Sequence, residues 1–183
     1  MKTQEAVVEI TLGLCWTFWG WVGTVFSPHG LAGTTLPFPT PEEALAPLLH
    51  KWPGAQEGVH PRSMALHEKL QRYFRGELVD FRNETLDVHQ GTDFQVRVWD
   101  VVRSIPCGQV RSYGWVAAQV GSPQAARAVG RVMATNPFPI VVPCHRVVGW
   151  NGQLVGFGGG LDMKRRLLAL EAAQVQGRPF YTT

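Results

Sequence analysis

Hydrophobic and polar positions alternate near the N-terminus. Val8, Ile10, Leu12, Leu14, Trp16 and Phe18 fall on one side and Glu9, Thr11, Gly13, Cys15 and Thr17 on the other, the two-residue period of a strand. Up to about residue 60 the chain reads as strands broken by turns at Ser27-Pro28-His29-Gly30 and Pro37-Phe38-Pro39-Thr40-Pro41, with a short helical piece from Glu42 to Leu49. From Ser63 to Arg75 the period changes: Leu66, Leu70 and Tyr73/Phe74 recur at helical spacing, and Gly76 stands where a helix would stop. Glu77 to Gly91 has no helical period and reads as a linker with one short extended piece.

A second unit opens at Thr92. Thr92-Asp93-Phe94-Gln95 is a capping-box pattern, and Phe94, Val98, Val101, Val102 and Ile105 form an apolar stripe that stops at Pro106. Ser112 is placed to cap a helix running to Gln119, which Gly121 breaks. Ser122-Pro123 then reads as N-cap and first residue of another helix, continuing to about Met133. The pair predicts a helix-turn-helix. In its second helix Arg127 and Arg131 share a face beside the small residues Ala126 and Gly130. Small residues allow a close backbone approach, so the helix either presses on DNA and inserts an arginine, or packs through its alanines with two solvated arginines. Gly149 to Gly160 is a glycine-dense loop, followed by a helix from about Leu161 to Gln174 whose buried side is marked by Leu167, Leu168 and Leu170. Glu171 lies on or beside that apolar face, and a carboxylate there needs a partner.

Composition narrows the class. At 183 residues and 45% hydrophobic, the chain is long enough for one large core or two small ones. The pattern predicts a two-part α/β globule, residues 1–90 carrying the sheet and 91–183 mostly helical. Residues 1–93 carry 7 Lys/Arg against 11 Asp/Glu, while residues 94–183 carry 10 against 3. A basic C-terminal half suits a polyanion, nucleic acid first. Three cysteines without close spacing give neither a disulfide framework nor a Cys-x-x-Cys site, which favours a reducing, intracellular compartment. Ile10 to Phe26 is apolar, but Glu5 and Glu9 precede it and Thr and Gly interrupt it, so neither a signal peptide nor a membrane span is expected.

The chemistry concentrates at Pro143-Cys144-His145-Arg146-Val147, after the apolar run Ile140-Val141-Val142. Thiols react as thiolates, and protonated His145 or Arg146 beside Cys144 would lower the cost of that charge. A cysteine hydrolase using Cys144 with a histidine and an acid is one reading, and a DNA-binding regulator built on the helix-turn-helix is another. His145 is, however, the sole histidine of the second half, and it is directly adjacent to the cysteine.

Pro143-Cys144-His145-Arg146-Val147, together with Ser112-Tyr113, Ala126-Arg127-Ala128-Val129-Gly130, Asn136-Pro137 and Gly156-Phe157-Gly158-Gly159-Gly160, resembles the O6-alkylguanine-DNA alkyltransferases, the methylated-DNA–protein-cysteine methyltransferases. The resemblance runs through residues 90–175 and is looser before them. It implies a ribonuclease-H-like N-terminal sheet unit and a winged-helix-like C-terminal unit. It implies direct-reversal repair: irreversible, single-turnover transfer of the alkyl group from O6-alkylguanine, and from O4-alkylthymine, to Cys144 after the nucleotide is rotated out of the duplex. His145 would be the base through a water, Glu171 its orienting carboxylate, and Asn136 the tie between helix-turn-helix and active-site segment. Ser112, Tyr113, Ala126, Arg127, Gly130 and Arg131 would contact DNA, Arg127 filling the emptied stack and Tyr113 crowding the 3′ phosphate. Tyr113, Met133, Val147, Phe157 and Gly158 would form the base pocket, with carbonyls of Cys144 and Val147 and the amide of Gly158 reading guanine. Phe157 and Gly158 depart from the usual tyrosine and serine or alanine, which bears on how tightly the pocket closes. Neither cofactor nor metal is implied, since His29, His50, His60, His67 and His89 lack metal spacing. The implied partner is double-stranded DNA carrying O6-alkylguanine, met by a monomer in the cytoplasm, or the nucleus of a eukaryote, with room for cooperative assembly on DNA.

Overall fold

The structure, a computed structural model, describes residues 10–178. Strand β1 (Thr11–Thr17) turns through Phe18-Trp19 into β2 (Gly20–Ser27), and Pro28-His29 connects β2 to β3 (Gly30–Thr34). Both pairings are antiparallel, and the short β4 (Gln56–Glu57) adds parallel to β1, giving the order β3-β2-β1-β4. The expected strand positions Val8 and Glu9 lie outside the described residues. Gly20 has a φ of +123°, and a Cβ there would lie 2.4 Å from the Phe38 carbonyl oxygen, so only glycine closes the first hairpin.

Both faces of this sheet are covered, which explains why its apolar run is longer than one buried face needs. Helix α1 (Pro41–Lys51), started by the Thr40/Glu43 capping box, buries Leu45 and Leu48 against Leu12, Val25 and Ala32. Helix α2 (Ser63–Phe74) covers the other face, where Leu66 and Leu70 meet Cys15, Val22 and Phe26. That second cluster continues without a break into the C-terminal half, through Trp99, Val102, Val116, Val129, Leu167 and Leu170. Trp16 and Phe18, on the alternating apolar side, are exposed where the hairpin runs past the helices.

The stretch expected as a linker contains no strand, only a 3-10 turn at Val88–Gln90 and an isolated bridge from Leu86 to Leu31. Helix α3 (Asp93–Arg103) starts on the Thr92/Gln95 capping box. Strand β5 (Arg111–Ser112) leads into α4 (Tyr113–Gln119), capped by the Ser112 hydroxyl. One boundary differs from expectation. Ser122-Pro123 does not start the next helix; α5 spans Ala126–Ala134, three residues later. The Ser122 N–H is already used to close α4, bonding the Ala117 carbonyl across Gly121 at φ +75°, and its carbonyl accepts the Ala125 N–H in a turn. Strand β6 (Val147–Val148) pairs parallel with β5, and α6 (Gly160–Val175) closes the fold. No helix among the described residues is long and apolar enough to cross a membrane.

The active-site segment is held between the two halves. The Thr34 N–H donates to the Pro137 carbonyl and its hydroxyl to the Pro139 carbonyl, both at 2.8 Å, so β3 extends its edge onto residues 137–139. On the other side Phe138 is fully buried and meets Trp99 of α3 edge-on at 5.2 Å. Replacing Thr34 with Val keeps its shape but leaves the half-buried Pro139 carbonyl without that donor. Urea unfolding is expected to show a loss of about 1–3 kcal/mol, and an unchanged midpoint would show that the contact is idle.

Candidate active site

Cys144, His145 and Arg146 form a 3-10 turn, all three buried. Three residues per turn send consecutive side chains in three different directions. Consequently Arg146 does not sit beside the thiol as the sequence suggested. Its guanidinium crosses to α6, donating from Nε to Glu171 Oε2 at 2.9 Å and from Nη2 to Oε1 at 2.8 Å, while Nη1 bonds the Ile105 carbonyl at 2.6 Å.

Glu171 is fully buried and carries more donors than any single partner could supply. His145 Nε2 lies 2.7 Å from Oε1, the Tyr73 hydroxyl donates to Oε1 at 2.9 Å, and the Gly108 N–H donates to Oε2 at 3.2 Å. Burial alone would raise the carboxyl's pKa. The charge and hydrogen bonds of His145 and Arg146 more than offset it, so Glu171 is held well below the usual carboxylate range and is ionised. With Glu171 accepting from Nε2–H, Nδ1 is the ring nitrogen left to accept a proton; it is buried and has no hydrogen-bond partner among the described residues.

Burial pushes the Cys144 thiol upward, and a hydrogen bond from the Asn136 side chain and the charge of Lys164 pull the other way. The thiol therefore rests protonated and must lose its proton as it reacts. Asn136 also donates from Nδ2 to the Val142 carbonyl at 2.9 Å and accepts the Phe138 N–H at 3.1 Å, so one amide links the end of the helix-turn-helix to the segment before the cysteine.

Lys164 was not anticipated. It is fully buried on α6, and its ammonium donates to the Val147 carbonyl at 2.7 Å and the Val155 carbonyl at 3.2 Å. The signal was present, since Lys164, Leu167, Glu171 and Gln174 share one helical stripe and all four are buried. Tyr73 was likewise read only as an apolar helix position, although its hydroxyl is one of Glu171's donors.

Tyr113 lies close to this centre. Its hydroxyl donates to the same Val155 carbonyl at 3.2 Å, its ring is 6.0 Å from the Lys164 ammonium, and burial with the nearby Cys144 charge raises its pKa. Gly130 of α5 faces the ring, with a Cβ there 3.9 Å from it. Arg127 and Arg131 are exposed, Ala126 and Ser112 half-buried. Val147 and Met133 are core residues. Phe157 is half-buried against the core, whereas Gly158 is exposed with open space around its α-carbon. A cleft of about 400 Å³ opens against Arg146, lined also by Phe81, Arg103, Cys107 and Ile140. Neither Cys144 nor Tyr113 lines it, so it backs the ion cluster and is not the base pocket. Burial also pushes the Cys107 thiol beside it up to about 12, leaving it unreactive.

Glu171→Gln removes the countercharge of a buried guanidinium, and a loss of about 3–5 kcal/mol in urea or thermal unfolding is expected. The sign of the pH dependence follows from the lowered carboxyl. Its stabilisation is fully present above the ordinary value of 4.5 and is lost as pH falls toward the folded value. Wild-type stability should therefore drop on acidification below about pH 4.5, and Glu171→Gln should flatten that drop; equal acid slopes would contradict the assignment.

Comparison with known proteins agrees with this geometry. Residues 93–173 match the family described as 6-O-methylguanine DNA methyltransferase, DNA binding domain. A methylated-DNA–protein-cysteine methyltransferase of Mycolicibacterium paratuberculosis is 55% identical over 113 residues, 61% of this chain and 67% of that protein. The O6-methylguanine methyltransferase of Mycobacterium tuberculosis superposes with a TM-score of 0.71 at 38% identity, over 90% of this chain and 94% of that one. The M. tuberculosis OGT in complex with DNA gives 0.74 at 35% identity, over 92% and 95%. A relative 55% identical and covered to 67% of its length, with a fold shared over nine-tenths of this chain at 38% identity, places this chain in the methylated-DNA–protein-cysteine methyltransferase family.

Proposed function

We propose that this protein repairs alkylated DNA by moving the alkyl group from O6 of guanine to Cys144 Sγ. The observation that carries this reading is the buried Glu171–His145 pair at 2.7 Å, beside a buried thiol that no disulfide occupies. The thiol proton passes to His145 Nδ1 through a bridging water, because adjacent side chains rarely meet directly. The sulfur lone pair forms a bond to the alkyl carbon as the carbon–O6 bond breaks. Guanine leaves as its anion, which takes up a proton and is restored as the ordinary base. The thioether has no route back, so each molecule acts once and needs no cofactor. O4 of an alkylated thymine offers the same leaving group and is a second substrate.

O6 lies within the base stack, so the nucleotide must rotate outward to reach a buried sulfur. Arg127, exposed on α5, is placed to fill the gap, with Ala126 and Gly130 allowing close approach, Arg131 and Ser112 on phosphates, and Tyr113 at the threshold. Val147, Phe157, Gly158 and Met133 form the base pocket, with backbone groups reading guanine. Residues 91–183 supply the site and residues 1–90 support it, Tyr73 reaching directly into the ion cluster. The protein works as a monomer, with cooperative assembly on DNA open to it, in the cytoplasm or a nucleus; its three unpaired cysteines suit a reducing compartment.

Mixing the protein with a duplex containing O6-methylguanine and weighing it intact should show one added methyl, mapped to Cys144, with one lesion removed per molecule. Turnover with unmodified protein would instead identify a hydrolase. Cys144→Ala should keep duplex binding and lose transfer entirely, and residual demethylation by it would overturn the mechanism. Arg127→Ala should slow repair of duplex by about tenfold, close to 1.4 kcal/mol, while reaction with free O6-benzylguanine changes far less; equal losses on both substrates would remove Arg127 from the extrusion step.

A further inference from the structure

Trp150 is 91% exposed, the most exposed of the large hydrophobic side chains among the described residues. It is presented by a closed turn. The Gly149 N–H donates to the Gln153 carbonyl at 2.8 Å, the Gly152 N–H to the Gly149 carbonyl at 2.9 Å, and the Gln153 N–H to Asn151 Oδ1 at 3.2 Å. Gly152 sits at φ +82°, a conformation that favours glycine, and a Cβ on Gly149 would stand a tight 3.2 Å from the Gln153 oxygen. An indole held in water on such a turn stabilises nothing in the fold.

Both legs of the turn lead to the candidate active site. The first leg is β6, where Val148 pairs with Ser112, the cap of α4. The second reaches Val155, whose carbonyl accepts from Tyr113 and Lys164. Tyr113 in turn faces Gly130 of α5. The turn, Tyr113 and α5 thus form one continuous rim, whose other exposed groups include the cations Arg127 and Arg131, with Arg111 stacked over Trp115. An exposed aromatic ring on a rim that also carries arginines suits a nucleic-acid surface, where bases and sugars stack on aromatic faces and cations track the phosphates.

We infer that Trp150 is a DNA-contacting residue, its turn serving as a rigid wing that lays the indole against the nucleotides flanking the lesion. The inference rests on the proposed repair of duplex DNA and adds to it a contact through a ring face. Such a contact tolerates sequence, because every base and sugar offers an apolar surface. It holds the strand beside the site while its neighbour is rotated out.

Trp150 touches nothing that a substitution would unfold. In fluorescence-anisotropy titrations with an undamaged duplex, Trp150→Ala should weaken binding about tenfold and Trp150→Phe by less. The slope of log Kd against log salt should stay unchanged, because no phosphate partner is lost. Arg131→Ala, which removes a proposed phosphate partner, should in contrast flatten that slope. Hydroxyl-radical footprinting read by mass spectrometry should show Trp150 protected when duplex is added. If the wild-type protein accepts a methyl from duplex while Trp150→Ala binds as tightly and Trp150 stays unprotected, this inference fails and the repair reading stands. If the wild type neither binds duplex nor accepts a methyl, both fail.

Discussion

A single buried carboxylate organises this molecule. Glu171 receives donors from α2 through Tyr73, from the turn after α3 through Gly108, and from the 3-10 turn through His145 and Arg146. Removing a carboxylate from water costs several kcal/mol, which nothing short of a nearly complete set of partners offsets. Here the set is complete and the acid stays ionised. Because Arg146 already balances its charge, in the proposed reaction a proton arriving at His145 adds a positive charge at the moment the sulfur becomes negative. The two charges appear together, and neither has to exist alone in an apolar interior.

The same logic of over-determination governs the segment before the nucleophile. Ile140 is a buried β-branched residue at φ +73°, a conformation costing roughly 1–3 kcal/mol. It is held there from both sides: Thr34 binds Pro137 and Pro139, Trp99 packs on Phe138, and Asn136 bonds the Val142 carbonyl. None of these residues touches substrate in the proposed reaction. Together they hold the segment that leads into Cys144, and Thr34 is the N-terminal sheet's share in that restraint.

What the sequence made legible followed local rules. The Thr40 and Thr92 capping boxes, the Ser112 cap and the strand period of residues 10–17 all depend on neighbours within a turn, and the structure contains them. Ser122-Pro123 misled because it opens a turn and not a helix: the Ser122 carbonyl, which an N-cap gives to the N–H four residues on, accepts the Ala125 N–H three residues on. Arg146 misled for a different reason: adjacency in sequence is not adjacency of side chains in a 3-10 turn. Lys164 and Tyr73 escaped notice because a hydroxyl or ammonium on a buried stripe reads as tolerated polarity until its partner, 98 residues away in the case of Tyr73 and Glu171, is known.

Lys164 takes the place that the sequence suggested for Arg146, and the exchange has a physical advantage. A guanidinium beside the sulfur would donate charge-assisted hydrogen bonds to the thiolate itself. An ammonium anchored on two backbone carbonyls acts instead as a nearby point charge, favouring the thiolate without bonding it. One of its anchors, the Val147 carbonyl, is a group proposed to read the guanine amino group, and the other, Val155, also holds Tyr113. A carbonyl oxygen has two lone pairs, so Val147 can serve ammonium and base together. In the proposed reaction, seating the base would act on the same cation whose charge favours the thiolate, tying recognition of the base to activation of the nucleophile through main-chain atoms.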